Sequence, residues 1–173
     1  KMNNSTSSSH NAAAIRYGVL GGLAGVVVSL IVFFANQQYA SWSKWLSTAI
    51  LVAAIFIGVR AVALQLAEET GSATFGKLFG AGMLITLTIA VISIAYFMLY
   101  TNVIDVDFVD NLLEISRQEM EKRGMSEEQI EKGLEMSKKF MTPGLMIAFS
   151  LFGTLVFGAI AALIAAAVHK KEN

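Results

Sequence analysis

The stretch LFGAGMLITLTIAVISIAYFMLYT, residues 78–101, contains no charged side chain. As an α-helix at 1.5 Å per residue it would reach about 36 Å. That exceeds a hydrocarbon core of about 30 Å, and a helix satisfies every backbone amide within itself, as lipid requires. Directly after it, Asn102 to Thr142 carries ten acidic and six basic residues and almost no long apolar run. The junction at 101/102 therefore joins a helix suited to lipid to the only segment that can fold in water.

Working upstream, Thr74-Phe75-Gly76-Lys77 leads into this span, and the polar turn Glu68-Glu69-Thr70-Gly71-Ser72 precedes it. Before that turn an apolar run from about Leu46 to the neighbourhood of Leu66 holds Arg60 well toward its far end. An arginine there can snorkel to the interface. The run GVLGGLAGVVVSLIVFFA closes a first span from Tyr17 to Ala35, and a link over Asn36 to Lys44 follows it. No small-residue cleavage site stands after this run, so it is read as a span and not as a signal peptide. Downstream, Pro143 suits a first helical position. A fourth apolar run then extends from Gly144 to Val168 and closes on His169-Lys170-Lys171. Tyr39, Trp42, Trp45, Tyr96 and Tyr100, with Arg60, stand where side chains anchor at the headgroup level.

Composition agrees with this reading. Charged residues are 15% of the chain and hydrophobic ones 55%, against about 25% charged for a soluble domain. Cysteine is absent, which excludes disulfides and thiolate metal sites. Net charge is zero and no long basic run occurs, so nucleic acid is not an expected partner. The expected fold is all-α. It is a polytopic membrane protein with four transmembrane helices and an extramembrane helical hairpin between helices 3 and 4. Residues 1–14 form a disordered polar tail, 15–101 the first three spans, 102–142 the hairpin, and 143–173 the fourth span with a short basic tail.

Within 102–142, Asp105 or Asp107 can cap a helix carrying Phe108, Leu112 and Ile115, which Gly124 ends. Ser126-Glu127-Glu128-Gln129 has the pattern of a capping box and opens a second helix with Ile130, Leu134 and Phe140. Glu119 and Arg123, Glu128 and Lys132, and Glu135 and Lys139 have the acid-first spacing of four that favours ion pairs. Lysine and arginine lie six on one side of the membrane and seven on the other. Charges next to span ends carry most weight. Lys1, Arg16, Arg60, Lys77, Lys170 and Lys171 therefore outweigh Lys44, which places both termini in the cytoplasm and the hairpin outside.

Arg16-Tyr17-Gly18 opening a Gly-rich span, Gly71-Ser72-Ala73-Thr74-Phe75-Gly76-Lys77-Leu78-Phe79-Gly80 before the third span, and Asp105-Val106-Asp107-Phe108 after it form a recognisable order. With an acidic segment ending Met141-Thr142-Pro143, the chain resembles the bacterial family filed as domain of unknown function forty-one ninety-nine, from Arg16 to Lys171. The resemblance implies a four-helix inner-membrane protein and transfers no catalytic residue.

Gly18, Gly22, Gly25 and Ser29 share one helical face, which Gly76, Gly80 and Gly158 are expected to meet. Small residues let helices approach closely in lipid. The face serves either packing inside the bundle or a dimer seam, and the chain supplies its own partner helices for the first. No Asp, Glu, Lys or His lies within the middle of a predicted span, where ion-coupled carriers place such groups. Thr86, Thr88, Ser93, Ser150 and Thr154 could line a polar path or bond their own helices. Asp105, Asp107 and Asp110 lack the glycine turn and terminal Glu of a calcium loop, and capping accounts for them. His10 and His169 stand alone. Neither a catalytic residue, a metal nor a cofactor is assigned.

The leading expectation is a non-enzymatic accessory or scaffold subunit that uses the hairpin for recognition. Its candidate surface is Asp110, Glu114, Glu121, Glu127 and Glu131. The alternative is a small channel or transporter built by the bundle or its oligomer. Expected partners are membrane lipids, another membrane or periplasmic protein, or a second copy of the chain.

Overall fold

The computed structural model describes residues 3–40 and 42–171. It holds α1 (Asn3–Phe34), α2 (Ser43–Thr70), α3 (Phe75–Leu99), α4 (Phe108–Lys122), α5 (Glu127–Phe140) and α6 (Pro143–His169), with a π-helical turn over Tyr100–Ile104. Lys1, which entered the charge reading, lies outside the described residues, as does the side chain of Lys44. Among the described residues four stretches are long and apolar enough to cross a membrane: Ser9–Phe34, Trp45–Thr70, Phe75–Ile104 and Pro143–His169. The chain is thus all-helical, with the composition of a multi-pass membrane protein.

Two compact units form. One contains α1, α2, α3 up to Ser93 and α6 from Phe152, and the other contains residues 94–151. In the first, Ile55, Val59, Val62, Leu66, Leu78, Ile85 and the alanines Ala14, Ala162, Ala165 and Ala166 are buried together. The packing is set by where helices lack a Cβ. One added at Gly21 would stand 2.6 Å from Ala54 Cβ, and one at Gly58 would stand 2.9 Å from Tyr17 Cβ, which fixes α1 against α2. Gly18 receives Thr88 and Gly22 receives Ile92, so α1 also fits α3. Gly82 receives Ala162, and Gly158 receives Thr86, which seats α3 on α6. The Thr86 and Thr88 hydroxyls donate to their own helix, at Gly82 O (2.9 Å) and Leu84 O (2.8 Å). Their polarity is thereby neutralised inside an apolar core.

Gly25, Gly76 and Gly80 differ from the packing expectation, because a Cβ there would meet nothing within 4 Å. Gly25 shares helical spacing with the packed Gly18, Gly21 and Gly22, yet Gly25, Gly76 and Gly80 all face open space. Ser29 is half-buried. Gly58 and Gly82 take close approaches that the expected set omitted.

The N-terminal region also departs from expectation. A disordered tail was expected over 1–14, whereas α1 begins at Asn3. Ala12-Ala13-Ala14 is a run of the best helix former, and Ala14 is completely buried. Packing against the core thus extends the helix beyond the apolar run. His10 Nε2 comes 3.3 Å from Glu69 Oε2, yet neither ring nitrogen has an aligned hydrogen bond among the described residues. The contact is one of proximity between the start of α1 and the end of α2. Gly71, at φ 73°, closes α2 in the left-handed conformation and donates to Ala67 O. Just beyond, Ala73 and Lys171 exchange backbone hydrogen bonds of 2.9 and 3.0 Å. The start of α1, the α2–α3 turn and the tail of α6 consequently meet at one end of this unit.

Gly82→Ala and Gly80→Ala test this account. At Gly82 the new methyl meets the Ala162 Cβ and backbone, and should cost on the order of 1–3 kcal/mol by overpacking. At Gly80 it meets nothing, and should gain up to about 1 kcal/mol from helix propensity. Thermal unfolding in mild detergent should therefore move in opposite directions for the two variants.

Candidate recognition surface

Residues 94–151 form the second unit, and its order starts at the end of α3. Tyr100 opens the π-helical turn, whose wider winding admits one extra residue. The turn brings Asp105 back beneath Tyr100, and the Asp105 backbone N–H donates to Tyr100 O at 2.8 Å. The tyrosine hydroxyl donates to Asp105 Oδ2 at 3.1 Å. Asn111 Nδ2 donates to Oδ1 at 3.4 Å. Tyr100 is 7% exposed and Asp105 8%. The Phe108 ring stands edge-on to both Tyr100 and Phe97, at 5.6 and 6.0 Å. Tyr100 is therefore a buried pin for the start of α4 and not the headgroup anchor expected. Asp107 occupies the N-cap position without a side-chain cap bond, and the Asp105 carboxylate is engaged by the pin.

Two apolar lines run along α4. Phe108 faces the aromatic cluster, while Leu113 and Met120 face α5. Leu113 and Ile130 are the buried side chains of α4 and α5, and Met120 Sδ would be 2.8 Å from a Cβ at Gly133. Leu113 was not in the expected apolar line, and Phe140, which was, is exposed. Between the helices Gly124, at φ 72°, reverses the chain. Ser126 then caps α5 with the full reciprocal box, Gln129 N–H to Ser126 Oγ and Ser126 N–H to Gln129 Oε1.

Arg117 ties the two helices. Its Nε donates to Glu121 Oε1 at 3.1 Å and its Nη2 to Glu127 Oε1 at 2.9 Å. The hydrogen bond it donates to Glu121 and the charge of Glu127 push its pKa above the ordinary arginine value. Lys132 pairs with Glu128 at 2.6 Å and Lys139 with Glu135 at 3.2 Å. Among the described residues Glu119 and Arg123 form no such pair; Arg123 takes the C-cap of α4.

Asp110, Glu114, Glu121, Glu127 and Glu131 are all exposed. Glu121 and Glu127 are joined to Arg117, and Glu114 accepts a hydrogen bond from Gln118. Asp110, Glu114 and Glu131 form no ion pair among the described residues, although bases stand on the same two helices. Elsewhere, Trp42, Trp45 and Arg60 are exposed, while Tyr39 and Tyr96 are half-buried. The pin itself was hard to find beforehand. Its only sequence signal is the spacing of five between Tyr100 and Asp105, which no regular α-helix would pair.

A family model described as "Protein of unknown function (DUF4199)" matches residues 16–171. Comparison with curated proteins and with solved structures finds no match.

Replacing Tyr100 by Phe leaves a buried carboxylate short of a donor, which should cost about 1–3 kcal/mol. A double-mutant cycle of Tyr100→Phe with Asp105→Asn, read by thermal unfolding, should show a coupling of about 0.5–3 kcal/mol. Additive losses would mean that the two side chains act independently.

Proposed function

The chain belongs to the DUF4199 family of proteins of unknown function, and from that premise we propose a non-enzymatic accessory or scaffold subunit of a membrane assembly, which recognises a basic partner through α4 and α5. The observation that carries this reading is the exposure of Asp110, Glu114 and Glu131, none of which forms an ion pair among the described residues. Side chains whose role was only to solubilise the segment would gain by pairing with neighbouring bases. Left open on ordered helices, they present a fixed negative surface that steers and registers a positive one.

We further propose that α4 and α5 form an extracytoplasmic hairpin on an inner-membrane protein whose termini are both cytoplasmic. Arg16, Lys77, Lys170 and Lys171 support this orientation, because basic residues are retained on the cytoplasmic side. The Ala73–Lys171 bridge supports a common side for the α2–α3 turn and the tail of α6. The channel or carrier alternative has less support, since Thr86 and Thr88 spend their hydroxyls on their own helix.

The native chain has no cysteine, so a single Gly124→Cys can report its own side of the membrane. It should react with an impermeant maleimide added to intact cells, and a reporter fused after Asn173 should read as cytoplasmic. The reverse pattern would invert the orientation.

Joint replacement of Asp110 by Asn and of Glu114 and Glu131 by Gln should leave membrane insertion and detergent stability unchanged. It should remove a protein that co-purifies with the native chain in mild detergent. Retention of every co-purifying protein would leave the surface as a solvated cap.

A further inference from the structure

The exposed side chains of α5 sort onto two faces. By helical spacing Glu127, Glu131 and Glu135 share one side, with Lys138 among them and Glu128 at its edge. Lys132, Met136, Lys139 and Phe140 share another that contains no acid, and the strip between them, through Ile130 and Gly133, is turned to α4. Met136 is 64% exposed and Phe140 55%. Only Met141 and Thr142 separate α5 from Pro143, where apolar α6 begins, so Phe140 lies within about 11 Å of the first residue of that span. At the other junction Val103 and Val106, each 67% exposed, directly follow α3. Exposed apolar side chains thus stand in the sequence both just after one span and just before the next.

We infer that the Lys132–Met136–Lys139–Phe140 face of α5 rests on the lipid headgroup layer of the membrane that α6 crosses. Met136 and Phe140 enter the acyl boundary, and the two ammonium groups lie at phosphate level. An apolar line flanked by lysine is the composition that settles a helix in the interface plane. Lysine stems can cover apolar surface while their heads stay wet. The pairs of Lys132 with Glu128 and Lys139 with Glu135 are largely exposed. Exposed pairs of this kind are weak, so phosphate can replace the carboxylate. Continuity with a span selects lipid over a protein as the occupant. The acidic face is then directed away from the bilayer. This inference needs only the spans and stands whether or not a basic partner exists.

Single cysteines at 136, 140, 127 and 131 in the otherwise cysteine-free chain can each carry a nitroxide label. The full-length protein is placed in phosphatidylcholine vesicles containing a minority of phosphatidylglycerol. Collision rates with oxygen, which concentrates in lipid, and with a nickel chelate, which stays in water, are then compared. The oxygen-to-nickel ratio should exceed unity at 136 and 140 and fall below it at 127 and 131. Nickel access dominating at 136 and 140 would put that face in water and overturn the inference. Low access to both reagents there would mean that protein covers it, which overturns it equally. All four positions are exposed, so the labels leave the buried contacts of Leu113 and Ile130 intact.

Discussion

Lipid tails are as apolar as leucine, so helices within a bilayer gain nothing by hiding apolar surface from one another. The bundle instead depends on how closely backbones can approach. Gly21 with Ala54, Gly58 with Tyr17, Gly82 with Ala162 and Gly158 with Thr86 supply that approach, and dispersion between the surfaces so matched takes over from the hydrophobic effect. The buried alanines of α6 act in the same way. Large side chains such as Phe149, Phe152 and Val168 are exposed, as expected where the solvent is hydrocarbon. The usual rule of apolar inside and polar outside does not apply across the spans.

In α4 and α5 the exposed side chains are largely charged again, Met136 and Phe140 apart. Leu113 and Ile130 are the buried side chains of α4 and α5, and so small a core does not order two short helices unaided. Directional bonds make up the difference. The carboxylate of Asp105 takes the Tyr100 hydroxyl, Arg117 bridges Glu121 and Glu127, and Ser126 and Gln129 close a cap. Each would be modest in isolation, and together they hold an acidic surface steady.

The spans could be read from sequence because uninterrupted apolar length has one structural solution in lipid. The cap at Ser126 could be read because its pattern is local. Contacts between helices could not be read in the same way. Gly25 and Gly22 have equivalent local surroundings, yet only Gly22 receives a neighbour, Ile92, and spacing along one helix does not say where the next one stands. Composition misled at the N-terminus, where a Ser/Asn-rich run suggested a tail. Ala14 instead packs into the core and draws the helix outward. Tyr100 misled because aromatic residues near a span end usually mark headgroups, and the winding that turns it inward has no strong sequence signature.

That winding at Tyr100–Ile104 has a genetic meaning. A π-turn accommodates one residue more than an α-turn, and one residue corresponds to about 100° of rotation around a helix axis. Loss of a single codon there would return the segment to α geometry and turn the start of α4 by more than a quarter-circle relative to the end of α3, while α6 stays seated on α3 through Gly82 and Ala162. The contacts between α4 and α5 could survive such a deletion while their bearing changed. The direction in which α4 leaves the end of α3 is therefore set by one residue of winding, separately from the contacts between α4 and α5.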